Sequence, residues 1–257
     1  MNILITNDDG VFSPGLAAAA EAAAELAEVT IVAPSSQKTG SGRSLLGDRN
    51  QKFQTAELKI GERRFTARHM DCTPALVVKH AFNTILRGKR FDLVVSGINY
   101  GENIGYDITV SGTVGAAVEA AVLGVPAIAI SLQTPIDNHL TYGSLDFSCA
   151  GYFLSSFIER FRGKGGFEGF DLLKIDVPET ADRDTEWVVT RLSPKPYFQT
   201  LLADGHDGSP ISQGRIVAGS GPFEDGTDAY VLTRERKVSV TPLTLDLTAR
   251  ETGKFFE

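Results

Sequence analysis

The chain has 257 residues, 42% of them hydrophobic, and a formal net charge of -7. That is enough apolar material for one large core, or one core with a small appendage. The acidic balance argues against a nucleic-acid duplex binder, which carries a basic face, but leaves room for a small anionic ligand beside a local cation.

Two cysteines, Cys72 and Cys149, lie far apart and form no CxxC pair. Neither a disulfide framework nor a thiolate zinc site is expected. No apolar run approaches the ~20 residues of a membrane span. Met1-Asn2-Ile3-Leu4-Ile5 lacks the basic region of a signal peptide. The expectation is a cytoplasmic protein that does not engage a membrane.

In chain order, Ile3-Leu4-Ile5-Thr6 is a short apolar, β-branched run that predicts a buried parallel strand. Asn7-Asp8-Asp9-Gly10 follows as a loop. Pro14 suits the first turn of a helix, and the Ala-rich stretch to Leu26 continues it. Its small side chains fit either close packing on a sheet or simple helix formation. Val29 to Ala33 predicts a second buried strand stopped by Pro34, so the opening is β-α-β with a right-handed crossover. Residues 35–50 form a long polar loop, of the kind often functional.

Lys52–Lys59 and Arg63–Met70 around Gly61-Glu62 predict a hairpin, and Thr73-Pro74 starts a helix running to about Leu86. Asp92 to Ser96 is a third buried strand, followed by a loop with Gly97, Gly101 and Gly105. Ser111-Gly112-Thr113 opens a helix that ends near Gly124. Pro126–Ser131 and Leu172–Val177 predict further strands, with a helix over Leu145–Phe161 between them. Beyond that, Trp187–Leu192, Arg215–Ala218 and Val238–Thr241 read as strands separated by long loops. The fold class is α/β: a Rossmann-like, doubly wound, mostly parallel sheet over residues 1–180, with a smaller β-rich extension over 181–257.

In such a sheet, ligands bind beyond the carboxyl ends of the strands. Asn7–Gly10, Thr39–Gly42 and Ser96–Asn103 all fall there. Adjacent carboxylates such as Asp8 and Asp9 repel by about 4 kcal/mol at ~4 Å and an effective dielectric of about 20. A hard divalent cation removes that cost. Asp8, Asp9, the Thr39 hydroxyl and the Asn99 amide oxygen make an oxygen-only set suited to Mg²⁺, Mn²⁺ or Ca²⁺. Asp-Asp-Gly serves equally as an Asx-turn leading into a helix. Ser111-Gly112-Thr113 offers free N–H groups to an anion, or is an ordinary N-cap. No GxGxxG follows the first strand and no P-loop lysine is present. His69, His80, His139 and His206 carry little weight. His206 sits in a loop able to shield the site, and Tyr197, Phe198 and Tyr230 are candidates to stack a base or to fill core.

These blocks together resemble the SurE family, the survival-protein E nucleotidases. The resemblance rests on Ile3–Gly10 with Pro14-Gly15, Val32-Ala33-Pro34, Ser96-Gly97-Ile98-Asn99 with Gly101 and Asn103, and Ser111–Val114 with Glu119. It continues through Gly226-Thr227-Asp228 and Ser239–Leu243 with Asp246 and Thr248, nearly the whole chain. It implies hydrolysis of nucleoside 5′- and 3′-monophosphates with one divalent cation per subunit, Mg or Mn, polyphosphate in some members, and a homodimer or homotetramer. By position it implies metal ligation by Asp8, Asp9, Thr39 (with Ser41 as a register alternative) and Asn99. Asn103, Ser111, Gly112 and Thr113 then face the phosphate, and Asp8, Asp9 and Asn103 carry the catalysis. Where the family often has Gly-Thr-Pro-x-Asp, this chain has Cys72-Thr73-Pro74-Ala75-Leu76 preceded by Asp71. The rival readings are a non-catalytic, metal-dependent nucleotide sensor, a regulatory oligomer with incidental phosphatase activity, and a polyphosphate-directed phosphatase.

Overall fold

The computed structural model describes residues 1–139, 144–202, 205–213, 215–218 and 221–249. The first strand, β1 (Asn2–Thr6), forms from the apolar run at the N-terminus. Its side chains alternate between the two faces of the sheet: Ile3 and Ile5 enter one core and Leu4 the other. Helix α1 (Pro14–Ala24) leads to β2 (Glu28–Pro34), which pairs in parallel with β1. The hairpin of β3 (Gln54–Ile60) and β4 (Arg63–Met70) is antiparallel, and β4 joins β2 in parallel.

Next come α2 (Pro74–Asn83), β5 (Leu93–Tyr100), α3 (Gly112–Val122), β6 (Ala127–Leu132), α4 (Ser148–Lys164) and β7 (Leu172–Val177). The remaining strands are β8 (Trp187–Val189), β9 (Phe198–Leu201), β10 (Arg215–Ala218) and β11 (Val238–Leu243).

The main sheet has nine strands in the order β3-β4-β2-β1-β5-β6-β7-β11-β8. Helices cover both faces. Leu16, Ala19, Ala20 and Ala23 of α1 share a core with Phe153, Leu154, Phe157 and Ile158 of α4. Val77, Val78 and Ala81 of α2 pack with Ala116, Ala117 and Ala120 of α3 on the opposite face. The chain order reverses between β1 and β5, so their carboxyl ends frame the crevice where such sheets bind ligands.

The C-terminal segment both completes this sheet and leaves it. Strand β11 inserts antiparallel to β7 and carries β8 in parallel at the edge. By contrast β9 and β10 form a separate antiparallel ribbon. Ala19, Ala20 and Ala23 of α1 are fully buried in the core shared with α4, and ahead of them Gly15 makes the closest approach: a Cβ there would lie 2.0 Å from the carbonyl oxygen of Ile98.

The structure differs from expectation at three strands. Strand β5 does not stop at Ser96 but runs to Tyr100, with a register shift against β6 between Ser96 and Asn99. Gly97 makes this possible, at φ +134°, where a Cβ would meet the Ile130 carbonyl oxygen at 2.2 Å. Its peptide bond to Ile98 is cis. Strand β9 was not anticipated from sequence, and the strand expected over Trp187–Leu192 ends at Val189.

Candidate active site

Asn7 ties its own loop, donating from Nδ2 to the Gly10 carbonyl at 3.1 Å and accepting the Gly10 N–H at 3.2 Å. The Asx-type turn therefore belongs to Asn7, and the two carboxylates that follow are available for other work. Asp8 and Asp9 are 4% and 1% exposed. Asp8 Oδ1 accepts the Thr113 hydroxyl at 2.5 Å, and the main-chain N–H groups of Asp8, Thr113 and Gly112 also support its charge. Burial nevertheless pushes the Asp8 carboxyl above its ordinary range.

Asp9 Oδ1 accepts from Gln37 Nε2 at 3.2 Å and Oδ2 from the Tyr100 N–H at 3.3 Å. Burial, and then the Asp8 charge, hold the Asp9 carboxyl well above its ordinary range. Two carboxyls disfavoured as a doubly negative pair, at the crevice of a parallel sheet, fit a divalent cation with oxygen ligands.

Helix α3 explains how Asp8 is seated. Ser111 caps the helix, its Oγ accepting the Val114 N–H at 3.1 Å. Gly112 has no side chain to obstruct the carboxylate: a Cβ there would lie 2.7 Å from each of Asp8 Cβ, Asp8 Oδ2 and Ser41 Oγ. The positive end of the helix thus faces Asp8. Of the residues expected at the phosphate, Gly112 and Thr113 are directed to Asp8, whereas Ser111 lines the cleft.

The cleft has a volume of about 240 Å³. It brings together Asp8, Thr39, Asn99, Asn103 and Ser111 from four separate chain segments. Asn99 donates from Nδ2 to the carbonyls of Tyr100 at 3.2 Å and Gly101 at 2.6 Å, so its Oδ1 is the atom suited to a cation. Asn103 donates from Nδ2 to Ser131 Oγ at 2.8 Å, and its main-chain N–H goes to Asp176 Oδ1 at 2.7 Å.

The loop carrying Thr39 is fastened on several sides. Lys38 donates its N–H to the Asp8 carbonyl at 2.7 Å, and Gly42 donates to the Val110 carbonyl at 2.9 Å. Arg43 binds the fully buried Glu119 at 2.7 Å. Lys38 also pairs with Asp71 at 2.6 Å, and the Thr73 hydroxyl donates to the Ser44 carbonyl at 2.6 Å. The segment that departs from the family pattern thus braces this loop.

Sequence reasoning missed several residues here. Gln37 bridges Asp9 to the His139 carbonyl, 2.7 Å away. His139 lines the cleft, edge-on to Phe198 at 5.8 Å. Its Nε2 lies 3.2 Å from the Thr134 carbonyl, which makes that nitrogen the donor, and burial lowers its pKa. Glu102 also lines the cleft, its carboxyl pushed up mainly by burial.

Asp107 accepts the N–H groups of Tyr197 at 2.9 Å and Phe198 at 2.8 Å, which fixes the root of the β9–β10 ribbon over the cleft. Phe198 and Ile216 of that ribbon line it. Tyr197 and Tyr230 pack instead in a small core with Ile104, Phe223 and Leu232. His206 is exposed and does not line the cleft. A mostly apolar groove of about 470 Å³ between α4 and the β8 edge shares no residue with this site.

The chain is similar to known proteins along most of its length. A family model described as Survival protein SurE matches residues 3–199. The chain is 44% identical to the 5′-nucleotidase SurE of Thermococcus gammatolerans over 254 residues, 97% of this chain and 92% of that protein. It is 42% identical to the protein of the same name from Thermococcus kodakarensis over 251 residues, 97% and 95% of the two chains. Among solved structures it is similar to the SurE protein from Aquifex aeolicus, with a TM-score of 0.76 and 33% identity, covering 96% and 95% of the two chains. Every cleft residue suited to a cation or a phosphate lies within the span matched by the family model, and the chain belongs to the SurE family.

Proposed function

We propose that this protein is a metal-dependent phosphatase that hydrolyses nucleoside 5′-monophosphates, and 3′-monophosphates, to nucleoside and phosphate. The observation that carries the reading is the buried Asp8–Asp9 pair, both carboxyls raised, seated between β1, β5 and the start of α3. The relatives' name, 5′-nucleotidase, supports the 5′-monophosphates as substrates.

Asp8, Asp9, Thr39 and Asn99 would hold one Mg²⁺ or Mn²⁺ per subunit. When bound, the cation polarises a phosphoryl oxygen and lowers the pKa of a water. Asn103 has a second amide hydrogen beyond the one given to Ser131, and the Ser111 hydroxyl proton remains available while its oxygen caps α3. Both donors suit non-bridging phosphate oxygens. Asp8 or Asp9 orients the attacking water, and the chain contributes chiefly positioning and charge compensation, as phosphoryl transfer requires. Phe198 and His139 offer aromatic surface to a base.

The same reading includes a homodimer or homotetramer, supported by the exposed Leu201, Ile211 and Ile216 of the ribbon region. It also includes a cytoplasmic setting, supported by the free cysteines Cys72 and Cys149. Among the described residues no helix is long and apolar enough to cross a membrane.

The test is phosphate release from a panel of nucleoside monophosphates before and after EDTA, with Mg²⁺ or Mn²⁺ added back. Loss with chelation and recovery with metal are expected. Full activity in EDTA, or binding of nucleotide with no phosphate released over hours, would overturn the proposal, and the latter would identify a sensor.

A further inference from the structure

Three ionic side chains outside the cleft meet in the interior. Lys174 and Asp176 lie two residues apart on β7 and therefore on one face of the sheet. Asp228 comes from the helical turn Asp228–Tyr230 in the C-terminal segment. All three are fully buried. The Lys174 ammonium contacts Asp176 Oδ2, and Asp228 Oδ2 at 3.1 Å.

The carboxylates also reach past the ammonium to one short stretch of main chain. Asp176 Oδ1 accepts the Asn103 N–H at 2.7 Å, and Asp228 Oδ2 accepts the Gly105 N–H at 2.9 Å. Asp228 Oδ1 takes the N–H groups of Ser193 and Ala229, each at 2.8 Å. Between the two held amides, Ile104 is fully buried against Tyr197, Phe223 and Leu232.

We infer that Lys174, Asp176 and Asp228 form a positioning element, which fixes the main chain of Asn103 to Gly105 and thereby sets the grip of Asn103 on the phosphate. The inference rests on the reading of Asn103 as a phosphate ligand. A buried ion cluster is a poor source of net stability, since apolar side chains of similar volume often do as well. What it supplies here is directional: two anionic acceptors aimed at the two N–H groups that flank a buried isoleucine. The ammonium lets both carboxylates remain buried while they do so. The site thus depends on residues of the C-terminal segment that never meet the substrate.

Asp176→Asn and Asp176→Ala test this. Both leave Lys174 paired one-to-one with Asp228, and only Asn keeps an acceptor for the Asn103 N–H. Asp176→Asn is expected within about twofold of wild-type KM. Asp176→Ala is expected to raise KM for the nucleotide about tenfold, the effect of orphaning one buried N–H, with the half-saturating metal concentration unchanged. Equal KM in the two variants, or an equal loss of metal affinity in Asp176→Ala, would overturn the inference.

Asn103→Ala is run alongside. If it leaves KM unaltered, the phosphate reading itself fails. If it raises KM while Asp176→Ala does not, only the positioning role fails. Should Asp176→Ala not fold, hydrogen exchange of the wild-type 103 and 105 amides decides. Exchange only through global unfolding supports the positioning role, and exchange as fast as the exposed ribbon overturns it.

Discussion

The molecule buries two pairs of carboxylates, and it treats them differently. Asp176 and Asp228 share an ammonium from their own chain, Lys174. The hydrogen bonds described for Asp8 and Asp9 come instead from a hydroxyl, a side-chain amide and main-chain N–H groups. Burial raises the Asp176 carboxyl to about 6 against the pull of Lys174. At the first pair, burial raises both groups, and the Asp8 charge raises Asp9 further. A carboxylate pair compensated by the chain's own cation is architecture. The Asp8–Asp9 pair is the one proposed to take up a cation, and perturbed carboxyls at such a crevice are candidates for that role.

That contrast can be broken at several points. The largest expected effect is Asp8→Asn, which lowers phosphate release on the order of a thousandfold. The same change relieves a buried charge, so the metal-free variant should melt at or above the wild-type temperature. A fall in both activity and metal-free Tm would place Asp8 with the architecture instead. Lys174→Met is expected to act in the opposite way. It strands two buried carboxylates and costs about 3–5 kcal/mol by urea titration; an unchanged midpoint would erase the difference between the pairs.

Gly112→Ala comes next. Its methyl would press on Asp8 and Ser41, and a displacement of this kind is expected to lower kcat/KM roughly a hundredfold and to cost about 1–3 kcal/mol of stability through overpacking. Wild-type kcat/KM in this variant would mean that Asp8 need not sit so close to α3.

The smallest effect is on pH. Asp176 titrates at about 6 in the folded protein and at about 3.9 when unfolded. Its raised folded value means that its stabilising contribution is fully present below the unfolded value and is lost as pH rises through about 6. The Tm advantage of Asp176→Asn over wild type should therefore be largest above pH 6 and shrink toward pH 4. A difference independent of pH would show that Lys174 and Asp228 already cancel the burial of Asp176.

Much of the cleft was readable in the sequence, because its residues follow apolar β-branched runs and strand ends converge by topology. Asp8, Asn99, Asn103 and Ser111 are of this kind. The residues that escaped have partners far away in the chain. Gln37 joins Asp9 to the His139 carbonyl, and Asp107 holds the amides of Tyr197 and Phe198.

Lys174 is the sharpest case. In Leu172-Leu173-Lys174-Ile175-Asp176-Val177 it looks like an outward residue of an alternating strand. It is buried because β11 pairs beside β7 and because Asp228 comes to meet its ammonium. Strand β5 runs past Ser96 for a related reason. Glycine ordinarily signals a loop, whereas Gly97 permits a close approach to β6 that no local pattern encodes.

The close contact of Gly15 with the Ile98 carbonyl has a consequence for how this site can change. Ile98 directly precedes Asn99, so the strand end bearing a candidate cation ligand rests on the bare backbone of α1. A single added methyl at position 15, which does not line the cleft, would have to move either the helix or the ligand strand. Variation in α1 is therefore constrained by volume more than by polarity. Substrate preference in this chain is freer to drift through the β9–β10 ribbon, which roofs the cleft without bracing it from behind.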